Sequence, residues 1–225
     1  MLLRNGPPPF PGRLLVVGGQ CRKVGKSTLV VDLIRTFPDW RWTAVKITPY
    51  VEAGCPLFGA GCGCAPCEHT YAIREEANRS GFADTSRFLR AGAERAVWVQ
   101  MKRGLLSEAI AQLGSSLEKA ESVIIESDSI MRFWRPDLFL LVLDPRRADF
   151  KASARYAQER ADGFVFRSPF PTRSEGRSSQ VTGNRKPKFL HPMGYDLPSG
   201  MQRFVRHRLE RRRHPMAVQT GSLFS

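Results

Sequence analysis

The sequence contains no long apolar run. Its longest uninterrupted apolar stretch is Leu138–Leu143, far shorter than the roughly 18 residues that a membrane-spanning helix requires. Residues 1–12 carry four prolines and lack the apolar core of a signal peptide. We therefore expect a cytoplasmic protein that is not embedded in a membrane, and we interpret residues 1–12 as a proline-rich lead-in.

Cysteine is also scarce, with five residues in the chain, and four of these fall between Cys55 and Cys67. Such crowding does not resemble the disulfide framework of a secreted mini-protein. In a reducing compartment thiolates and a nearby imidazole can instead bind Zn²⁺ or an iron–sulfur cluster, and a Cys-x-x-Cys pair is a common half-site. The loop 52–69 is therefore a candidate metal site, with free thiols as the alternative; its candidate ligands are Cys55, Cys62, Cys64, Cys67 and His69.

Acidic residues are outnumbered by Lys and Arg, 21 to 35, which gives a formal net charge of +14. Most of the excess lies in residues 167–225, which contain 12 basic and 3 acidic side chains. Such a cluster of basic residues can bind nucleic-acid phosphates. However, Phe204 is the one aromatic residue among the clustered arginines, and the sequence contains no recognisable nucleic-acid-binding domain. We expect a solvated helix and a basic tail at 210–225 rather than nucleic-acid binding; attraction to an acidic partner protein is the alternative.

Strand-like and helix-like segments alternate along the chain, which predicts an α/β fold with a mainly parallel sheet. A length of 225 residues suits one large domain, for which we expect the bounds 13–209 with a polar excursion at 167–186. Apolar runs predict strands at 14–18, 42–48, 97–101, Ser122–Glu126, Leu138–Leu143, Gly163–Phe166 and 188–191. The other segments predict helices at 27–37, 72–79, 85–94, Leu106–Leu117, 150–160 and 199–209.

A glycine-rich segment, residues 18–28, separates the first strand from the first helix and has the sequence Gly-Gly-Gln-Cys-Arg-Lys-Val-Gly-Lys-Ser-Thr. Strand, glycine-rich turn and helix are the context that a Walker A phosphate-binding loop requires. Backbone N–H groups at a helix N-terminus attract phosphate, the lysine reaches the β- and γ-phosphates, and the next hydroxyl holds Mg²⁺. We therefore predict the three-layer sandwich of P-loop NTPases, with nucleoside-triphosphate contacts from Gly19, Gln20, Val24, Gly25, Lys26, Ser27 and Thr28.

The loop departs from the strict Walker A pattern at one position. Four residues normally separate its two glycines, which would place a glycine where Gln20 stands, whereas five residues separate Gly19 from Gly25. Either Gln20 adopts the conformation of the first glycine or the loop contains an extra residue. The Asn-Lys-x-Asp signature of many GTPases is absent, so the choice between GTP and ATP is poorly marked.

Three further segments resemble one known family. Residues 44–48, Ala-Val-Lys-Ile-Thr, are similar to its second strand, and residues 123–127 resemble its strand ending in Val-Glu-Gly. Residues 84–93, Asp-Thr-Ser-Arg-Phe-Leu-Arg-Ala-Gly-Ala, resemble its Asp-Ser-x-Arg-x-x-x-Ala-Gly-Ala segment. With the phosphate loop, these segments resemble the molybdopterin-guanine dinucleotide biosynthesis protein B family, within the class of P-loop proteins that includes dethiobiotin synthetase. Three departures are Ser127 for the usual glycine, Pro49 and Tyr50 for histidines, and the cysteine cluster.

The resemblance implies a GTPase or ATPase, with GTP favoured, that assists synthesis or delivery of the molybdenum cofactor with a partner protein. Because the sequence has no evident arginine finger, we expect slow turnover. The resemblance implies that Ser27, Asp84 and Glu126 are Mg²⁺ ligands, because Mg²⁺ prefers oxygen ligands. It also implies that Lys26 and Glu126 take part in hydrolysis, with Glu126 orienting a water molecule. Asp84 has a second interpretation as a helix N-cap, and Lys46 is a candidate contact for an anionic second ligand. A metal-handling chaperone that uses the cysteine loop, a small-molecule kinase or ligase, and a homodimer all stay open.

Overall fold

The computed structural model of the protein describes residues 11–50, 69–147, 149, 152–167 and 185–210. None of the helices described there is long and apolar enough to cross a membrane. The described residues form eight strands and five α-helices, in the order β1 (Arg13–Gly19), α1 (Lys26–Thr36), β2 (Trp42–Tyr50), β3 (Tyr71–Glu75), α2 (Asp84–Ala91), β4 (Arg95–Lys102), α3 (Leu106–Leu117), β5 (Ser122–Glu126), β6 (Leu138–Leu143), α4 (Ala152–Arg160), β7 (Gly163–Phe166), β8 (Lys188–Leu190) and α5 (Ser199–Glu210).

The strands form one sheet in the order β3-β4-β2-β5-β1-β6-β7-β8. β1 lies between β5 and β6, and every pairing among the described strands is parallel except that of β3 with β4. The fold is therefore α/β with a mainly parallel sheet, as the alternation of segments predicts. Because the carboxyl ends of parallel strands share one edge of the sheet, the residues that follow β1, β2 and β5 lie side by side.

Two apolar clusters cover the two faces of the sheet. Leu15 and Val17 belong to the cluster that contains α1, α2 and α5, whereas Leu14 and Val16 belong to the cluster that contains α3 and α4. All four side chains of β1 are fully buried. A parallel strand that is covered on both faces has a continuous apolar run rather than an alternating pattern, and this is why the apolar runs located β1, β5 and β6 correctly.

The helix predicted at 72–79 is wrong. Tyr71–Glu75 form β3, an edge strand that pairs antiparallel with β4 from Tyr71 opposite Met101 to Glu75 opposite Val97. Tyr71 and Ile73 pack against the cluster of α3 and α4, and Arg95 on β4 holds Glu75 through two hydrogen bonds of 3.0 and 2.7 Å. Pairing with the neighbouring strand outweighs the weak intrinsic helix propensity of so short a segment.

The other described elements lie within about three residues of their predicted bounds, which is close to the usual uncertainty of helix and strand ends. The largest difference is at the end of α2, predicted at residue 94 and found at Ala91. Gly92 adopts a left-handed conformation with φ of 110° and its N–H bonds to the carbonyls of Leu89 and Phe88. This glycine therefore ends the helix by the usual C-terminal device.

The central strand β6 generates a stability prediction. Leu140 is fully buried, whereas Leu190 on the edge strand β8 is 44% exposed. We expect Leu140→Ala to lower the free energy of unfolding by about 2 to 5 kcal/mol through lost burial and a residual cavity, and Leu190→Ala to change it by less than about 1 kcal/mol. Urea denaturation followed by circular dichroism measures both, and equal effects at the two positions would contradict the arrangement of the sheet.

Candidate phosphate-binding site

The loop predicted to bind phosphate joins the end of β1 to the start of α1. Lys23 and Gly25 have positive φ angles of 58° and 96°, and Gly25 immediately precedes Lys26, the first helical residue. A Cβ atom at Gly19 would lie 2.7 Å from side-chain atoms of Val24 and Lys26, so a larger residue there would displace them. The N-terminus of α1 therefore lies at the carboxyl edge of the sheet, where its dipole favours an anion.

Gln20, which stands in place of the first Walker A glycine, is buried and does not have a positive φ. Its side-chain amide donates to the carbonyls of Arg147 and Asp149 at 2.8 and 3.2 Å, and its Oε1 accepts from the N–H of Asp144 at 3.0 Å. The glutamine therefore ties the loop to the segment after β6. Gln20 therefore does not adopt the left-handed conformation that would favour glycine at this position.

Asp128, which follows β5, holds the loop from the neighbouring strand. Its Oδ1 accepts a hydrogen bond from the N–H of Gly19 at 2.7 Å, and the residue is only 8% exposed. A Cβ atom at Gly18 would lie 2.5 Å from the same oxygen. The two adjacent glycines, Gly18 and Gly19, thus permit a close approach between the loop backbone and this buried carboxylate, which positions the loop.

The Lys46 ammonium joins the three predicted metal ligands. Its Nζ lies 2.7 Å from Oδ2 of Asp84, 2.9 Å from both carboxylate oxygens of Glu126, and 3.1 Å from Oγ of Ser27. We call these four residues the lysine cluster. They come from β2, α2, β5 and α1, so one ammonium group connects two strands of the sheet with two helices that pack on it.

The charges of the lysine cluster stabilise one another. Burial opposes the charged form of Lys46, but the negative charge of Glu126 and hydrogen bonds to Asp84 and Glu126 outweigh it, and the pKa of Lys46 is raised. Burial likewise opposes ionisation of Asp84, yet the hydrogen bond and the charge of Lys46 outweigh it and lower the pKa of Asp84. Lys46 and Asp84 are therefore both charged at neutral pH.

Asp84 does not act as the N-cap of α2. The cap position is Ala83, no side-chain cap bond is formed there, and Asp84 is the first helical residue. While its Oδ2 accepts from Lys46, its Oδ1 accepts from Arg87 at 2.8 Å, and the second terminal nitrogen of Arg87 lies 3.5 Å from Oγ1 of Thr28. Both oxygens of this carboxylate thus connect α2 to the candidate site.

The predicted nucleotide contacts lie together at the start of α1. Lys26 reaches back across the loop, where its Nζ donates to the carbonyl of Cys21 at 3.0 Å. Ser27 belongs to the lysine cluster, Thr28 lies beside Arg87, and the Val24 side chain is buried beneath the loop. A lysine and two hydroxyls therefore lie at the N-terminus of α1, and both hydroxyls contact basic side chains.

A buried arginine behind the loop was not found by sequence analysis. Arg167, which follows β7, donates to the carbonyl of Gly25 at 2.5 Å and to the carbonyl of His191 at 3.0 Å. Burial lowers the pKa of Arg167 to about 10. His191 is itself fully buried, and its Nε2 lies 2.9 Å from Oδ2 of Asp32 on α1. These contacts fix the first and second turns of α1 from residues more than 130 positions away in the chain.

The predicted metal ligands of the cysteine loop, Cys55, Cys62, Cys64 and Cys67, lie outside the described residues. His69 is described and is exposed. Among the residues that the structure describes, no group of three or more His, Cys, Asp or Glu side chains is arranged to hold a metal ion. The Zn²⁺ or iron–sulfur prediction therefore has no support from the described part of the chain.

A cavity of about 620 Å³ adjoins the loop and the lysine cluster. Lys26, Glu126 and Asp128 line the side next to the loop, and much of the rest is lined by residues of β2 and β4, the start of α3 and the segments after β4 and β5. Its volume lies within the range of small-molecule sites in proteins, roughly 300 to 1,000 Å³. The carboxyl edge of the sheet therefore offers the phosphate loop and an adjoining chamber.

No family model matches this chain, and no curated protein sequence matches it. Among solved structures, HypB from Helicobacter pylori in complex with nickel is 17% identical, with a TM-score of 0.52, over 90% of this chain and 88% of that one. This likeness shows the fold. The described sheet and its helices have the α/β fold of P-loop NTPases.

Two other solved structures are similar over less of their length. LpxK from Aquifex aeolicus in complex with ATP is 17% identical over 80% of this chain, with a TM-score of 0.48. A Zn(II)-bound triple mutant of the YjiA GTPase is 11% identical over 84% of this chain, with a TM-score of 0.39. The chain covers 54% of the LpxK chain and 60% of the YjiA chain.

The lowered pKa of Asp84 predicts a pH-dependent contribution to stability. The stabilisation is present above the ordinary value of 3.8 and is lost as the pH falls through the lower, folded-state value. We expect Asp84→Asn to cost about 1 to 2 kcal/mol at neutral pH, and the difference from the unmodified protein to shrink as the pH is lowered toward about 3. Urea unfolding across this pH series measures the difference.

Asp39→Asn is the matched control, because Asp39 is exposed and forms no salt bridge among the described residues. Asp39→Asn should leave the free energy of unfolding unchanged at every pH of the series. A constant deficit for Asp84→Asn at every pH would show that the carboxylate charge does not stabilise the fold.

Proposed function

We propose that the protein binds a nucleoside triphosphate with Mg²⁺ at residues 18–28 and hydrolyses it slowly. The observation that carries this proposal is the position of Ser27, whose hydroxyl lies at the N-terminus of α1 within hydrogen-bond distance of the ammonium that also binds Asp84 and Glu126. Phosphate-binding backbone, a lysine and oxygen donors for a cation thus meet at one edge of the sheet, which is where ligands bind in open α/β folds.

Lys26 and the loop amides are the groups that would bind the phosphates. Both the helix N-terminus and the loop N–H groups present partial positive charge, and Lys26 adds a full charge on a flexible side chain. Charge that develops on the γ-phosphate during transfer to water would be stabilised by these fixed groups. Glu126, buried at the end of β5, is the carboxylate placed to orient the attacking water.

The oxygen donors of the lysine cluster fit Mg²⁺. Oxygens of Ser27, Asp84 and Glu126 lie within 3.1 Å of one cationic atom, Nζ of Lys46. Mg²⁺ takes such hydroxyl and carboxylate oxygens and keeps several waters. When bound, Mg²⁺ would neutralise charge on the phosphate oxygens. In its absence, Lys46 supplies the positive charge that keeps the two carboxylates close together.

We propose a slow rate and a role as an accessory protein. Among the described residues, the arginines that contact residues 18–28 have protein partners there: Arg147 donates to the carbonyl of Arg22, Arg167 donates to that of Gly25, and Arg87 lies beside Thr28. Arg22, inside the loop, is exposed. Without a positioned arginine a P-loop protein hydrolyses its nucleotide slowly, which suits a switch. Assistance to molybdenum-cofactor synthesis is supported by the resemblance of residues 84–93, and Asp84 and Arg87 of that segment both contact the site.

A small-molecule kinase or ligase is the second candidate function. The observation that favours it is the cavity beside Lys26 and Glu126, which is large enough for a second substrate. A metal-handling chaperone would depend on the cysteine loop. This function is supported by the four cysteines of that loop, and the HypB structure, which contains bound nickel, offers a parallel.

The phosphate-loop proposal predicts the effect of Lys26→Ala. We expect this substitution to weaken binding of Mg²⁺-bound ATP and GTP analogues by about 100-fold, because it removes a charge-assisted contact to the phosphates. Titration calorimetry measures the affinities, and circular dichroism checks that the variant is folded. Lys119→Ala, an exposed lysine after α3, should bind as the unmodified protein does; loss of affinity in both variants, or in neither, would contradict the proposal.

The lysine cluster predicts a different response to Mg²⁺ alone. In Lys46→Met the two carboxylates lose their cation, so Mg²⁺ should bind the folded protein better. At a concentration about tenfold above its dissociation constant, the ion should raise the melting temperature of this variant by roughly 3 °C, with a smaller rise in the unmodified protein. Lys119→Met should behave like the unmodified protein, and equal rises in all three would refute the assignment of these oxygens to Mg²⁺.

A further inference from the structure

The cavity beside the phosphate loop has an apolar wall. Ile47, Met101 and Leu106, from β2, β4 and α3, are almost fully buried, and each of them also lines the cavity. Phe133, which follows β5, is half-buried and adds an aromatic side chain. Such a wall suits the hydrocarbon part of a ligand, because it can remove apolar surface from water.

The rim of the same cavity is cationic. Arg22, Arg103 and Arg132 line it and are exposed, and none of the three forms an ion pair within the described part of the chain. Arg103 follows β4, which β2 and β5 separate from β1 in the sheet, and Arg132 lies in the segment after β5. Guanidinium groups pair with carboxylate, sulfonate and phosphate groups through two parallel hydrogen bonds.

The buried carboxylates in this cavity are already engaged. Glu126 accepts two hydrogen bonds from Lys46, and Asp128 accepts one from the backbone of Gly19. Apart from Lys26, which the proposed nucleotide function uses, the charged groups that remain for a ligand are the arginines of the rim. A ligand matched to the cavity needs an apolar body for the wall and an anionic group for Arg103 and Arg132.

We propose that this cavity is a second ligand-binding site, for a small organic anion whose aromatic or aliphatic body lies on Ile47, Met101 and Phe133. Arg103 and Arg132 bind its anionic group. The opposite end of the ligand then lies next to Lys26 and Glu126. The position of the ligand next to Lys26 and Glu126 rests on the proposed nucleotide function, because it would place the ligand beside the triphosphate. Binding of the organic anion itself does not require nucleotide.

The test uses the fluorescent probe anilinonaphthalene sulfonate, which combines an aromatic body with one anionic group. Its affinity is measured by fluorescence titration for the folded protein and for the double variant Arg103→Gln, Arg132→Gln. We expect the double variant to bind about tenfold more weakly, because the charged hydrogen bonds are lost. The double variant Arg35→Gln, Arg155→Gln has the same net charge and changes exposed arginines on α1 and α4, so its affinity should change less than twofold.

Two further arms separate the parts of the proposal. Phenylnaphthylamine, the same aromatic body without the sulfonate, should bind equally well to both double variants and more weakly to Phe133→Ala. Any competition between inorganic phosphate and the sulfonate probe should disappear in the double variant Arg103→Gln, Arg132→Gln, because those two arginines are the groups for which both anions compete. Displacement by phosphate that persists in this double variant would place the probe in the phosphate loop and overturn the proposal.

An equal loss of affinity for the sulfonate probe in the two double variants, or no loss in either, would also overturn the proposed second site. The proposed nucleotide function fails in a different experiment. A protein that binds no triphosphate and still shows arginine-dependent binding of the probe would refute that function and keep the second site.

Discussion

One ammonium group connects most of the candidate site. Lys46 extends from β2 to carboxylates at the start of α2 and the end of β5, and to the hydroxyl of Ser27 on α1. Two carboxylates so close together would repel each other without a cation between them, because burial strengthens the interaction of charges. The lysine cluster therefore sets the relative positions of the strand edge, the phosphate loop and α2, and its oxygens are also the natural ligands of Mg²⁺.

The loop itself is held by interactions behind it. Asp128 binds the backbone of Gly19, Gln20 binds the segment after β6, and Arg167 binds the carbonyl of Gly25. All three are buried polar residues with partners, and each comes from a different connection at the carboxyl edge. Interactions of this kind fix the position of a loop in advance, and a loop already fixed needs less ordering when a ligand binds.

Sequence patterns predicted the parts of this arrangement that depend on local chemistry. The apolar runs predicted β1, β5 and β6, and the Gly-Lys-Ser sequence predicted the position of Lys26 at the start of α1. Asp84 and Glu126 were indicated by the resemblance of residues 84–93 and 123–127 to a known family. The predicted helix at 72–79 failed because strand pairing with β4 is a non-local interaction. Arg167 and His191 escaped notice for the same reason, since their partners on α1 lie far away in the chain and no spacing rule connects them.

The most direct measurement is a crystal structure of the protein with Mg²⁺ and a non-hydrolysable triphosphate. We expect the β- and γ-phosphates to bind the backbone of residues 19–28 and the Mg²⁺ ion to bind Ser27. We also expect the ammonium of Lys46 to have moved away from Glu126, because two cations repel each other when they share the same oxygens at close range. Phosphates bound elsewhere, or a metal-bound complex in which Lys46 still contacts Ser27 and Glu126, would contradict these expectations.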